Sequence, residues 1–312
     1  MNELVKGYLT MRHSLKELIH STILFKYSLP NKVNGIAKSI ISSDDDVCYS
    51  PQSNNDLSEI IYNAVIDYAF NEYEIIEQDF DSLHRRALTR KLKFNKDAKD
   101  EVKLKYGFYG EVILYCVLHI FHQAPPVIAR GHLYNILENG ETKGYDAYHL
   151  ISTKNQLELW FGEVKFYANF GAATTGENGA ITNLSKAISD NYFNNNLIAI
   201  SERINDLAID DSLLKPVLED IRSNPDLKIS ELSEKHNIKL VYPILILFNS
   251  KKTGFDQTIR DSIAHIKKEV KKIDFDISVE VSLFFIFIPV SDAREIKSKV
   301  MKWISEKKPL ML

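Results

Sequence analysis

The sequence predicts an α/β protein: a mixed sheet flanked by helices, preceded by a mostly helical N-terminal region. Three observations predict it. Two apolar runs, residues 144–150 and 157–165, enclose the polar, turn-prone stretch Ser152-Thr153-Lys154-Asn155-Gln156 and read as an antiparallel hairpin. Two further runs, 240–248 and 278–288, are continuously apolar and read as buried strands. Apolar residues at helical spacing fill much of the rest, and alternation of helices with strands places helices against a sheet.

Taken in order, residues 15–19 begin a helical or mixed pattern, and 32–41 fit helix or strand. Residues 42–55 read as a polar, solvated loop, because Asp44-Asp45-Asp46 lacks the spaced ligands and glycine of a calcium loop. Residues 57–70 carry Ile60, Ile61, Ala64, Val65 and Tyr68 at helical spacing, with Asp56 or Ser58 as a cap. A second helix is expected over 80–92, with Arg85, Arg86, Arg90 and Lys91 on its polar side. The charged stretch 93–105 lacks apolar periodicity and reads as a linker. It divides the chain into an N-terminal region, 1–100, and a larger domain, 101–312, with a strand–helix extension at its end.

In that domain the helix 108–121 is apolar almost all round, and Pro125-Pro126 stops it. Residues 127–134 read as a strand leading to the hairpin. Helices are expected over roughly 180–192, over 256–272 and over 292–307. Two or three more lie within 197–237, with breaks near Asp210-Asp211 and Asn224-Pro225.

A formal charge of −3 on 312 residues excludes a nucleic-acid binder defined by overall charge. Charge is uneven, however: residues 85–105 hold nine Lys/Arg against three Asp/Glu, a run that either meets phosphate or forms a solvated face. The two cysteines, Cys48 and Cys116, suggest neither a disulfide framework nor a zinc site, which fits a reducing, cytoplasmic setting. No membrane association is expected. Residues 1–18 lack the apolar segment of a signal peptide, and the most apolar window, 279–290, is too short to span a bilayer.

The hairpin carries the chemistry. With its turn centred between Lys154 and Asn155, Asp146 falls opposite Glu163, and Lys165 shares their face because side chains alternate with period two. Opposed carboxylates are destabilising unless something compensates them, and a divalent cation does so. Glu-x-Lys alone means little, since it also occurs at Glu101/Lys103, Glu141/Lys143, Glu269/Lys271, Glu295/Lys297 and Glu306/Lys308. Only Glu163/Lys165 lies on an apolar strand with an aspartate opposite. Glu111, in the apolar helix upstream, leaves two readings open. Either it is paired or metal-bound inside the protein, or it sits at the helix N-terminus within reach of solvent.

The order Gly110-Glu111, Gly144-Tyr145-Asp146, then Glu163-Val164-Lys165 resembles the PD-(D/E)XK nuclease superfamily over roughly residues 106–249. Two departures stand out. Tyr145 occupies the position where proline is common, and the following helix lacks Gln-x-x-x-Tyr, leaving Lys186 or Tyr192 in the fourth-motif place. More narrowly, the size, the basic helix 83–92 and Phe161-Gly162-Glu163-Val164-Lys165 resemble the HamA family of Hachiman anti-phage systems. The resemblance implies a restriction-endonuclease-like fold and a DNA endonuclease effector dependent on Mg²⁺ or Mn²⁺. It also implies a partner, a superfamily 2 helicase of the HamB type, and products bearing 5′-phosphates and 3′-hydroxyls. Asp146 and Glu163 would hold the metal with a backbone oxygen of Val164, and Lys165 would orient the attacking water. Glu111 would support them or help hold a second metal.

Two alternatives stay beside this reading: a catalytically inactive nuclease-like subunit that binds and regulates a helicase, and a restriction-type enzyme with its own sequence specificity. Glu163/Lys165 as a plain surface pair, with Asp146 as a turn residue, is the bland version. His119 and His122 lie one helical turn apart, with His132 and His149 nearby in sequence, but the pair lacks His-Glu-x-x-His spacing and no cysteine pair assists, so packing or surface roles are expected. Residues 171–179 contain glycines but no Gly-Lys-Ser/Thr, so a nucleotide-driven motor, if involved, lies on another chain.

Overall fold

The computed structural model describes residues 11–28, 41–42, 46–76, 78–92, 94–135, 140–141, 144–152, 156–206, 214–224, 226–251 and 254–311. The chain begins with α1 (His13–Thr22), β1 (Ile23–Ser28), β2 (Ile41–Ser42), β3 (Val47–Pro51), α2 (Asn54–Ala69), α3 (Glu72–Ile75), α4 (Phe80–Arg86), α5 (Asp100–Lys103) and α6 (Phe108–Ile120). Next come the small ladder β4 (Tyr134–Asn135) and β5 (Gly140–Glu141), then the hairpin β6 (Ala147–Ser152) and β7 (Leu157–Phe166). The remainder is α7 (Phe170–Thr175), α8 (Leu184–Ala187), α9 (Asp190–Ser201), α10 (Leu214–Ser223), α11 (Ile229–His236), β8 (Ile238–Asn249), α12 (Phe255–Val270), β9 (Val281–Val290) and α13 (Ala293–Glu306).

The main sheet runs β1-β3-β9-β8-β7-β6, with β2 also on β9. It is mixed: β7, β8 and β9 are parallel, while β6 and β1 join antiparallel at the two ends. The apolar runs read as buried strands are β8 and β9, the inner members of this sheet, where both faces are covered. The even-numbered residues Trp160, Val164 and Phe166 of β7 pack with α2, α6 and α13 in one apolar cluster. The odd-numbered Leu157, Leu159 and Phe161 pack with α9, α10 and α12 in the other. The sheet therefore separates two cores, and residues 163 to 166 of β7 emerge at its carboxyl end, where open α/β sheets bind ligands.

Several local expectations are corrected. Residues 127–133 do not form a strand, and Tyr134 only opens the short β4. Val127 N–H reaches Tyr148 C=O at 2.8 Å, Ala129 N–H donates to Asn71 Oδ1 at 3.0 Å, and Arg130–Leu133 is a 3₁₀ turn. Only a single bridge, Pro126 to His149, meets the sheet edge there. The supposed polar loop 42–55 contains β3, and Asp46 is buried with its carboxylate accepting from Phe285 N–H at 2.7 Å. Asp44 and Asp45 lie outside the described residues. The expected helix 180–192 is broken at Ser189, which caps α9. Ser53, rather than Asp56 or Ser58, caps α2. The helix after Phe80 ends as α4 and continues as a π-helical turn, Ala87–Lys91. Within 93–105, Phe94 is buried in the first core and α5 forms.

Candidate active site

The hairpin has the register that the turn symmetry predicts. Ala147 pairs with Gly162, and the pairing continues to Ser152 with Leu157. One step beyond β6 the ladder leaves this register: Asp146 N–H donates to Gly162 C=O at 2.9 Å, so Asp146 and Ala147 both face Gly162, as in a bulge, and the regular pairing stops short of Glu163. There the backbones part, and the Asp146 side chain replaces the missing rung: its Oδ2 accepts from Val164 N–H at 2.8 Å. The N–H and C=O of one strand residue point to the same side, so the Val164 carbonyl is directed to the side on which Asp146 sits. Lys165 Nζ lies 2.5 Å from Glu163 Oε1, with both side chains about one-fifth exposed.

Glu111 approaches in the first turn of α6. It is buried, not solvated: Tyr68 Oη donates to Oε2, and the Arg130 guanidinium lies 3.6 Å from the same oxygen. Of the two readings of Glu111, pairing inside the protein is the one observed. Two glycines permit the approach. A Cβ at Gly110 would meet Val164 at 3.0 Å and Phe166 at 3.3 Å, and one at Gly107 would meet Glu111 Oε1 at 2.5 Å.

The electrostatics are those of an acidic cluster short of positive charge. Asp146 retains some solvent access, yet protein crowds it. Burial, then Glu163 and Glu111, push its carboxyl well above the usual range, against the pull of Arg130 and Lys165. Burial opposes charge on Lys165 too, but Glu163 outweighs it and raises the lysine above its ordinary value. Tyr145, Tyr192 and Tyr242 are raised mainly by burial and further by Glu163. Tyr192, one of the two fourth-motif residues, thus has its hydroxyl in the field of Glu163 and Asp146. Lys186 sits 5.8 Å from the Tyr192 ring.

A cleft of about 680 Å³ opens beside these groups, lined by Lys105, Gly107, Glu111, Asp146, residues 164–168 of β7 and its continuation, and Arg294 and Lys297 of α13. Glu163 is outside that lining. Among the described residues, no three or more His, Cys, Asp or Glu side chains are grouped as they would be to hold a metal. Mg²⁺ does not need such a group: it keeps several waters and takes one or two carboxylates. Two neighbouring carboxylates, Asp146 and Glu163, with Asp146 destabilised as an anion and the Val164 carbonyl directed to the side of Asp146, fit that demand.

Sequence reasoning missed Arg130, Tyr68 and Lys297. Arg130 lies in a stretch whose pattern reads as a strand, Tyr68 has the spacing of a core residue, and Lys297 belongs to a Glu-x-Lys that carries no signal by itself. Two of the histidines pack: His149 Nδ1 is 2.5 Å from Ala124 C=O, and the His122 ring lies against Trp160 and Phe284, whereas His132 Nε2 lies 2.7 Å from Glu74 Oε2. Cys48 and Cys116 are buried and free. No helix among the described residues is long and apolar enough to cross a membrane.

Fold and site define a mixed α/β protein with two neighbouring carboxylates, a lysine and a partly cationic cleft at the carboxyl end of a parallel strand. The family model for HamA matches residues 13–304, nearly the whole chain, and the chain belongs to the HamA family. That makes it a protein of the Hachiman defence systems. No curated protein and no solved structure matched the chain.

Proposed function

We propose that the chain is a metal-dependent DNA endonuclease of the PD-(D/E)XK type, the effector of its Hachiman system, under control of a superfamily 2 helicase of the HamB type. One observation supports the reading: at the end of the hairpin Asp146 is fixed on Val164 N–H within the electrostatic reach of Glu163, and Lys165 is ion-paired with Glu163. Family membership supports the defence role and the helicase partner.

Asp146, Glu163 and the Val164 carbonyl would hold Mg²⁺, or Mn²⁺ in its place. Bound there, the metal supplies Lewis-acid polarisation of the phosphodiester and lowers the pKa of a water. The protein does the rest. Lys165, fixed by Glu163, orients the attacking water and balances negative charge on the phosphate as it builds in the transition state. Val164 N–H fixes the Asp146 carboxylate, so the pair is set before substrate arrives. Glu111 keeps Arg130 at the back of the site, where the guanidinium lowers the cost of charge on Asp146.

The test is nicking of supercoiled plasmid by the purified chain, with and without the helicase, in Mg²⁺, Mn²⁺ or EDTA. Nicking that needs metal and is lost in Glu163→Gln and Lys165→Ala supports the assignment. Nicking unchanged in both variants moves the active site elsewhere. Wild type that never nicks, yet binds the helicase, favours a regulatory subunit.

A further inference from the structure

The cleft has a wall that the proposed chemistry does not use. The first turns of α13 bring Arg294 and Lys297 to the same space as Lys105, Glu111, Asp146 and Lys165. Lys297 Nζ donates to Phe166 C=O at 2.7 Å, which fixes the ammonium two residues beyond Val164 on β7. Aromatic rings hold it further: Nζ lies 4.6 Å from the Phe166 centroid and 5.8 Å from that of Tyr109.

Charge around this wall is unbalanced. Lys165 is paired with Glu163, but Lys105, Arg294 and Lys297 form no ion pair among the described residues. Three carboxylates line the same cleft, Glu101, Glu111 and Asp146; none is ion-paired with these three cations among the described residues, and Glu111 is already engaged by Tyr68 and Arg130. Burial lowers Lys297 to about 8, so an ammonium is being kept in apolar surroundings without a counter-ion. A bound anion would offset that cost. Arg294 is exposed one helical turn away and brings a planar fork of donors suited to phosphate oxygens.

We infer that Lys297 and Arg294 seat a backbone phosphate of the DNA strand next to the one being cut. On this view α13 holds the strand in the cleft while Asp146, Glu163 and Lys165 act on the neighbouring phosphodiester. The inference rests on the nuclease reading for its ligand, but it concerns binding and is tested without cleavage.

The experiment measures anisotropy of a fluorescein-labelled DNA duplex with the full chain in EDTA, at rising salt. Each phosphate contact contributes about −0.9 to the slope of log affinity against log salt. Lys297→Gln and Arg294→Gln should each reduce the slope by about that amount and weaken binding on the order of five- to tenfold. Lys297→Arg should recover most of the loss. Lys235→Gln, whose lysine pairs with Asp220 on a distant helix, should change neither quantity. Arg294 is exposed, so its variant folds even if Lys297→Gln does not, and thermal midpoints check both. Slope and affinity unchanged in both variants, or no DNA binding by wild type, overturns the inference. The two readings separate cleanly. Normal nicking with unaltered binding in the α13 variants removes the phosphate seat alone. Salt-sensitive binding through α13 without nicking in any metal removes the nuclease alone.

Discussion

Asp146 Oδ2 takes the Val164 backbone N–H at 2.8 Å, continuing the hairpin by one side-chain rung after β6 has ended. One carboxylate thus has two duties, closing the edge of the sheet and standing within the electrostatic reach of Glu163.

Those duties separate by substitution. Asp146→Asn keeps an oxygen for Val164 N–H and removes the repulsion from Glu163 and Glu111, so its thermal midpoint should equal or exceed that of wild type while nicking is abolished. Asp146→Ala leaves the N–H without that acceptor and should cost about 1–3 kcal/mol in urea denaturation.

Glu111 and Arg130 form a buried pair, with Tyr68 as the second support. Removing one charge strands the other, so Arg130→Met should destabilise by about 3–5 kcal/mol, whereas Tyr68→Phe should cost about 1–2 kcal/mol. The double variant Glu111→Gln/Arg130→Met should cost clearly less than the sum of its single variants. A double-mutant cycle in chemical denaturation reads this directly.

Gly110 marks the closest approach of α6 to β7. A methyl group there meets Val164 Cγ2 at 3.0 Å and Phe166 Cβ at 3.3 Å. Gly110→Ala should lose about 1–3 kcal/mol despite its better helix propensity, because the packing clash outweighs the roughly 1 kcal/mol that alanine contributes to a helix. Denaturant midpoints compare the two proteins. A stabilised variant would mean that α6 can move off the strand freely.

His149 gives a pH signature. It is buried, with burial lowering its pKa to about 3 against the partial support of Ala124 C=O. A folded-state value below the unfolded one means that the unfolded chain takes up the proton first. Stability is therefore full above about pH 6.5 and falls as pH drops toward the folded value, by up to about 1.4 kcal/mol per pH unit from this group. His149→Leu should be less stable at pH 7.5, since it abandons Ala124 C=O, yet lose less between pH 6.5 and 5 than wild type. Thermal denaturation at both pH values checks the difference.

The parts of the site carried by periodicity were legible in the sequence. Two runs about a turn gave the register, because a hairpin's symmetry assigns partners without knowledge of anything else. The apolar helix that holds Glu111 was equally plain. What supports those residues was not. Arg130 stands on a segment whose backbone bonds go to Tyr148 and Asn71, partners far away in sequence, so its apolar pattern imitated a strand. Asp46 seemed to lie in a polar loop because the strand it precedes is short and pairs only with β1 and β9. Lys297 reads as an ordinary surface residue until α13 packs beside the end of β7.

The central claim is that Asp146 and Glu163 share one divalent cation. Mn²⁺ binding to the full chain, followed by calorimetric titration and electron paramagnetic resonance, tests it most directly. Wild type should bind Mn²⁺ in competition with Mg²⁺, and Asp146→Asn and Glu163→Gln should each weaken that site by at least about tenfold, as expected when one of only two carboxylate ligands is lost. Wild-type affinity in either variant would contradict the shared site.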